Sequence, residues 1–576
     1  MTGSPIPAVA GRSDTAAPAP RHPVALDRVA AGISLTALVV VAIVALGNSG
    51  ISITSFFDSQ DNAARFFHRV GALTFPDLPE TVHLVGLTVG LVLTGTLLAA
   101  VLSVPVAYLA ASNTTPGPGW RAVGRFISVM TRAVPDVVLA MVFALIFSLG
   151  TLPGICAIGI HSVGMISKLF ADAIEQIDEG PRRAIRAVGG STVQQFVSGI
   201  LPQVLPSWVA TVLHRNDINL RGSVVLGYVG VAGLGLAMSQ SFQELAYGEG
   251  LGYAVIIFAL CVVMEIVSST VRSSMLGIVP TRRTMGDWVV RTVIRGRAAA
   301  TTSTTTVPSR SAELATALRR PWTRERIRNT VWLWLAVVIA IGGVLVCDIQ
   351  WGDILTVWAH IPETAAKFWP PSWGAYDAGI IFGAVGQTIA IALSATLLSL
   401  VLSLVIGSLA ARNVAPSPVV RHTFRFVLLI IRGIPELILA ILLIIISGLG
   451  PQAGIIALAF GGIGLLGKLI ADSLEEVNPG PERALRATGA SRWQVFSSAT
   501  VPQGAPAMIG HSLYLLDTNL RAATILGIVG GGGVGYYLLN ASQASVYQLV
   551  TSITLLTLVT VVVVEALAVW IRRVFR

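Results

Sequence analysis

Charge is scarce in this sequence: Asp, Glu, Lys and Arg make up 12% of its 576 residues, where soluble domains carry about 25%. With 54% apolar residues and a strongly positive mean hydropathy, a water-exposed globular surface is excluded, and the chain reads as an integral membrane protein. Cysteine is nearly absent as well. Cys156, Cys261 and Cys347 are scattered through apolar segments without metal-ligand or redox spacing, so they read as small apolar fillers. No stretch alternates apolar and polar residues with period two, which excludes a transmembrane barrel and leaves helices. Acidic residues are fewer than basic ones, giving a net charge of +10. That excess lies in loops and in one central segment, where it marks the cytoplasmic side of a membrane protein rather than a nucleic-acid surface.

What the chain has in quantity is apolar runs of about 17 to 25 residues, long enough to cross roughly 30 Å of hydrocarbon. Twelve such runs are expected, six in each half, the third from about Phe126 to Leu149 and the fifth from about Pro206. The halves repeat. Lys168 to Gly235 recurs as Lys468 to Gly535 without a gap, and subtracting 300 from a number in the second copy gives its partner in the first. An even number of spans per half gives both copies the same orientation, so a pseudo-two-fold axis along the membrane normal is expected, with a pathway between the halves.

Each copy has three parts. An amphipathic charged run (Ile174 to Ala187, Leu474 to Ala487) ends at Gly189 or Gly489 and is followed by Leu201-Pro202 or Val501-Pro502. A polar stretch within an apolar run carries Asp217, Asn219 and Arg221, matched by Asp517, Asn519 and Arg521. A glycine-rich turn with Gly230, Gly233 and Gly235, or Gly530, Gly533 and Gly535, closes the copy, where close backbone packing at the outer mouth is expected.

Four arginines fall inside apolar runs: Arg132, Arg432, Arg221 and Arg521. A charge at that depth costs about 2.5 to 3.5 kcal/mol and seldom faces lipid. Brought to a shared axis, four guanidinium forks would suit the oxygens of a phosphonate or phosphate. The competing reading pairs each with Asp217, Asp517, Asp136 or Glu436 to join helices, and Arg221 stands in i,i+4 register with Asp217. For Asn219 and Asn519, lining the pathway and hydrogen bonding between helices are equally open. Glu265 and Glu565, inside the sixth runs, call for a buried partner, whereas His161 and His214 have no symmetric histidine. Gly462 to Leu469 imitates a phosphate-binding P-loop, but Leu469 stands where magnesium requires a hydroxyl, so no nucleotide site is read there.

The charged run resembles the EAA loop of type I ATP-binding cassette importer permeases, whose pattern is Glu-Ala-Ala, three residues, Gly, nine residues, Ile, one residue, Leu-Pro. The matching positions are Arg183, Ala184, Ile185, Gly189, Leu201 and Pro202, and Arg483, Ala484, Leu485, Gly489, Val501 and Pro502. Arginine replaces the family's glutamate in both copies, with Glu482 one position early. A finer resemblance, to phosphonate-type permeases, is carried by Arg432-Gly-Ile-Pro-Glu-Leu437, by Ala484-Leu-Arg-Ala-Thr-Gly-Ala-Ser491 and by Asn519-Leu-Arg521 leading to Leu526 through Gly535. Methionine-type permeases share the glycine turn and the loop.

The resemblance implies an all-α fold of two tandem six-helix, methionine-permease-like domains. The divisions are a disordered cytoplasmic tail (1–28), a first permease domain (29–276), a basic cytoplasmic linker (277–328) and a second permease domain (329–576). It implies two copies of a cytoplasmic ATPase docked on the two loop helices through Glu175, Arg183, Ala184, Gly189 and Pro202 and through Glu475, Arg483, Ala484, Gly489 and Pro502. It further implies an extracytoplasmic phosphonate- or phosphate-binding protein, ATP and magnesium held by the ATPase rather than by this chain, and a multi-pass bacterial inner-membrane protein with both termini cytoplasmic. An amino-acid importer and an ion-coupled secondary transporter are the alternatives.

Overall fold

The computed structural model describes residues 26–51, 62, 64–66, 68–276 and 324–575. Most of the N-terminal tail and of the basic linker therefore lies outside the described residues. The first half runs through α1 (Leu26–Asn48), α2 (Leu78–Ala110), α3 (Pro118–Ala133), α4 (Asp136–Phe147), α5 (Leu152–Glu175), α6 (Glu179–Ala187), α7 (Leu201–Leu226), α8 (Leu234–Gln243) and α9 (Tyr247–Leu276). The second half runs through α10 (Arg324–Val346), α11 (Trp351–Phe368), α12 (Ala378–Ala410), α13 (Pro418–Gly433), α14 (Glu436–Ser447), α15 (Pro451–Glu475), α16 (Pro479–Ala487), α17 (Val501–Ile528), α18 (Val534–Gln543) and α19 (Tyr547–Phe575).

Apart from α11, each helix of the second half repeats one of the first, and the repeat extends to individual bonds. Thr88 Oγ1 accepts from the Leu234 amide at 2.9 Å, as Thr388 Oγ1 does from Val534. Asn219 donates to Thr96 at 2.9 Å, as Asn519 does to Thr396. The first helices are exchanged: α1 packs on α12 of the second half and α10 on α2 of the first. Reciprocal exchange of this kind is what a two-fold relation produces.

Two of the twelve expected runs, the third of each half, are bent rather than straight. Among the described residues eight helices are long and apolar enough to cross a membrane, or ten if each of two bent pairs counts as one span. The third run is one of those pairs: α3 and α4 meet at 87°, and α13 and α14 at 78°. The cause is Pro135 and Pro435, which lack an amide hydrogen and force the residue before them out of the helical region. Val134 (ψ 123°) and Ile434 (ψ 120°) are accordingly extended. Helix α17 has the length of a span but is not among the eight; its apolar run is interrupted by His511, Asp517, Asn519 and Arg521.

The core is divided unevenly. One continuous apolar cluster joins both halves through the glycine turns, α4, α14 and the adjoining parts of α2, α5, α7 and α12. Towards α6 and α16 it gives way to separate clusters, one around Phe170 and Trp208 in the first half, and in the second half one around Ile470 and Leu515 and a small one of Leu513, Ala568 and Ile571. The halves thus share a core at one end of the bundle and keep their own cores at the other.

The glycine turn is built into the helix bundle. It packs on Thr88, ten residues along α2 and so about 15 Å from that helix's start, and α8 or α18 continues beyond it. Gly233 (φ 139°) and Gly533 (φ 82°) hold backbone conformations that a side chain would strain. A Cβ on Gly535 would collide with the Thr524 carbonyl, so the turn closes only without one. Gly535→Ala is expected to destabilise the protein by about 1–3 kcal/mol through overpacking, seen as a lower melting temperature in detergent. Gly383→Ala, where a Cβ meets nothing within 4 Å, leaves it unchanged.

Candidate functional site: the seam and the two loop platforms

The broken helices concentrate charge where the halves meet. Arg132 and Arg432 occupy the last turns of α3 and α13, and Asp136 and Glu436 open α4 and α14. Each charge suits its helix terminus, because a helix end presents partial negative charge at its C-terminus and positive charge at its N-terminus. Asp136 also accepts the Val137 amide at 2.9 Å. Close packing supports the break: a Cβ on Gly164 would sit 2.7 Å from the Arg132 backbone nitrogen, and one on Gly464 2.7 Å from Arg432 Cγ.

The partners of Arg132 and Arg221 are not the ones the spacing suggests. Arg132 forms its ion pair with Glu565 of α19, across the seam. Arg221 reaches Glu265 of α9 at 3.4 Å and donates to the Arg432 carbonyl of the opposite half at 2.9 Å. Only Arg521 keeps the i,i+4 pair, with Asp517 at 2.8 Å, both buried. Asp217 stands with Arg221 and Glu265 around Cys261. Glu265 and Glu565, marked in the sequence as needing buried partners, thus supply two of the three pairs. Asn219 and Asn519 are buried and bind Thr96 and Thr396, which is the interhelical role left open for them.

The seam is not symmetric in detail. Opposite the longer Glu436 stands Gly461, where a Cβ would overlap the carboxylate. Opposite the shorter Asp136 stands His161, whose Nδ1 lies 3.0 Å from the Val134 carbonyl oxygen. Arg215, on α7, is a further intramembrane arginine; its twin is Leu515. Its Nε donates to Ser162 Oγ at 3.1 Å, and Ser162 donates to Asn219. The signal for it was present in the sequence, but a search confined to residues with a twin passes over it.

At the far end of each half a short helix is fastened to a clamp. Asn113 donates to the Ile174 carbonyl at 2.8 Å and to Glu179 at 2.9 Å; Asn413 donates to the Leu474 carbonyl at 2.7 Å and to Glu482 at 3.1 Å. The carboxylate comes from the first residue of α6 but from the fourth of α16, so Glu179 and Glu482 fill the same place from different positions. Glu482 is buried and also accepts from Thr500 at 2.7 Å. It faces the clamp, away from the free side of α16. Glu175 and Glu475 cap the loop after α2 or α12, accepting from the Ser112 amide at 2.7 Å and the Arg412 amide at 2.6 Å.

Asp178 and Asn478 cap the first turns of α6 and α16, each accepting a glycine amide at 2.9 Å. Gly189 (φ 81°) and Gly489 (φ 82°) end the helices. Single π-helical turns, Gln195–Ile200 and Phe496–Thr500, then lead to Pro202 and Pro502 in the first turns of α7 and α17. Arg183, Ala184, Arg186, Arg483, Ala484 and Arg486 remain exposed, as does Trp493. Each half therefore presents an anchored, basic, small-residue face at this end of the bundle.

The ion pair across the seam has a measurable signature. Arg132→Ala leaves Glu565 without its partner, a loss of about 3–5 kcal/mol for a fully buried pair and less here, where the Glu565 side chain is 23% exposed. The melting temperature falls by several degrees, and the double variant Arg132→Ala with Glu565→Ala recovers part of the loss.

The comparisons with known proteins agree with this architecture. The family model for binding-protein-dependent transport system inner membrane components matches residues 103–283 and again 403–576. The chain is 37% identical over 519 residues, 90% of its own length and 90% of the relative's, to the phosphate-import permease protein PhnE of Mycolicibacterium smegmatis. It is 36% identical over 185 residues, 32% of its length and 67% of the relative's, to the phosphite transport system permease protein PtxC of Stutzerimonas stutzeri. It is 28% identical over 159 residues, 26% of its length and 73% of the relative's, to the probable D-methionine transport system permease protein MetI of Pasteurella multocida. Two family domains in tandem, each with a broken helix at the seam and an anchored loop helix, cover more than half of the chain: it belongs to the binding-protein-dependent transport system inner membrane components and is a fused, two-domain permease subunit of an ATP-binding cassette importer rather than an enzyme.

Proposed function

We propose that this permease carries phosphate or phosphonate oxyanions through the seam between its halves, driven by two cytoplasmic ATPases docked on α6 and α16. The observation that carries the substrate class is the gathering of intramembrane arginines from both halves at the proline breaks, since guanidinium forks match tetrahedral oxyanions. The names of two relatives, a phosphate-import permease similar over 90% of this chain and a phosphite transport permease similar over 32% of it, support the same class.

In this reading the end bearing α6 and α16 is cytoplasmic, as are both termini, and a binding protein delivers the anion at the other end. The π-turns and the carboxylate clamps make each loop helix one rigid piece with its half. ATP then draws the two ATPases together, closes the end where the cores are separate and opens the opposite one. Arg132, Arg432, Arg221 and Arg521, with Asp217, Asp517, Asn219 and Asn519 behind them, form the lining of the pathway.

The test is uptake of radiolabelled phosphate or alkylphosphonate into proteoliposomes holding the chain, its ATPase and its binding protein. ATP-dependent uptake is expected, and Arg432→Ala and Arg521→Ala each lower it by about tenfold or more, the loss of one charged hydrogen bond. Uptake of methionine alone, or uptake driven by a proton or sodium gradient without ATP, would replace this reading with one of its alternatives. Coupling has its own check. Glu482→Ala removes one of the two acceptors of Asn413 and the acceptor of Thr500, so ATP hydrolysis continues while transport per ATP falls, and Glu482→Gln restores part of it.

A further inference from the structure

The first half differs from the second at one place on the seam where a difference in charge matters. Arg132, Arg221 and Arg521 each have a carboxylate within salt-bridge distance. Arg215, half-buried on α7, forms no ion pair among the described residues. Its single hydrogen bond there, from Nε to Ser162, fixes the direction of the guanidinium, because Ser162 is itself held by Asn219 and Asn219 by Thr96. The two Nη nitrogens have no hydrogen-bond acceptor among those residues. The charged and polar groups around them are Asp136 of the same half and Arg521 and Tyr514 of the other.

The second half cannot build the same device. Leu515 replaces Arg215 and is buried in the local core. Gly462 replaces Ser162, and a Cβ there would overlap Ser399 Oγ, so no serine fits to orient a cation. Gly461 replaces His161, which lies in the same charged neighbourhood as Arg215, Asp136 and Arg521.

We propose that the permease holds its oxyanion at one asymmetric site, gripped by the Nη donors of Arg215 from the first half and drawn by Arg521 from the second, rather than at two equivalent sites. Arg521 keeps its pair with Asp517 at 2.8 Å and Asp136 stands beside Arg215, so the direct grip on a doubly charged anion falls to Arg215, whose Nη donors have no acceptor among the described residues, and Arg521 adds a weaker pull from across the seam. Arg215 offers two parallel donors, the geometry for bidentate contact with a tetrahedral oxyanion. This rests on the oxyanion reading of the pathway, and the experiment separates the two.

Arg215→Leu places in the first half the residue that the second half already carries. It is compared with wild type in the complete complex in proteoliposomes, reading labelled phosphate taken up per ATP hydrolysed together with the melting temperature. The expected result is a loss of about tenfold or more in phosphate per ATP with binding-protein-stimulated hydrolysis retained, and partial recovery in Arg215→Lys. If Arg215→Leu does not fold, Arg215→Gln keeps a donor for Ser162 without the charge and is expected to show the same loss. Wild-type phosphate per ATP in a folded neutral variant overturns the asymmetric site and leaves the importer reading intact. Absence of oxyanion uptake by the wild-type complex overturns the importer reading instead.

Discussion

A guanidinium or carboxylate at the depth of the hydrocarbon has to find its opposite on another helix, and the architecture of this permease follows from that requirement. The charges are delivered there by Pro135 and Pro435, which break the third apolar run of each half and turn one span into a basic helix end facing an acidic helix start. Arg132 and Arg221 then find carboxylates or carbonyls on α19, α9 and α13, two of these contacts crossing from one half to the other. The polar seam is thereby fixed by pairs rather than by lipid-like packing alone.

The same seam sits between two kinds of core. At the glycine-turn end a single apolar cluster binds the halves together, and at the loop-helix end each half is packed on itself. Packed apolar interiors resist deformation, so relative movement is concentrated where the cores are separate. The clamps of Asn113 and Asn413 tie α6 and α16 to the ends of α5 and α15. A force applied to their exposed arginine faces is therefore passed to whole halves.

Much of this was legible in the sequence because the chain is written twice. The gapless repeat exposed the loop helices, the glycine turns and the intramembrane arginines, and the structure finds Gly189 and Gly489 ending their helices as the punctuation suggested. Three features were not legible. The breaks were hidden because hydropathy averages over Pro135 and Pro435, although the prolines themselves were in view. Two of the ion pairs were out of reach because spacing along one helix says nothing of partners on another: Arg521 does pair with Asp517, but Glu565 and Glu265 are the partners of Arg132 and Arg221. Arg215 was passed over because symmetry served as the filter, and a residue whose twin is leucine fails that filter however deep its charge lies. The inward turn of Glu482 has a similar origin: the motif aligns positions, whereas the clamp requires only that some carboxylate reach Asn413, and in the first half Glu179 does so.

The central claim is that the two halves pivot about their shared core when ATP acts on the loop helices. It is tested most directly by measuring the distance between spin labels at Arg183→Cys and Arg483→Cys in the assembled complex, with the native cysteines replaced, in the absence of nucleotide and with trapped ATP. The account predicts that the labels move closer together on ATP binding while a pair at the glycine turns keeps its separation or widens. A label distance at the loop helices that stays the same in both states contradicts it.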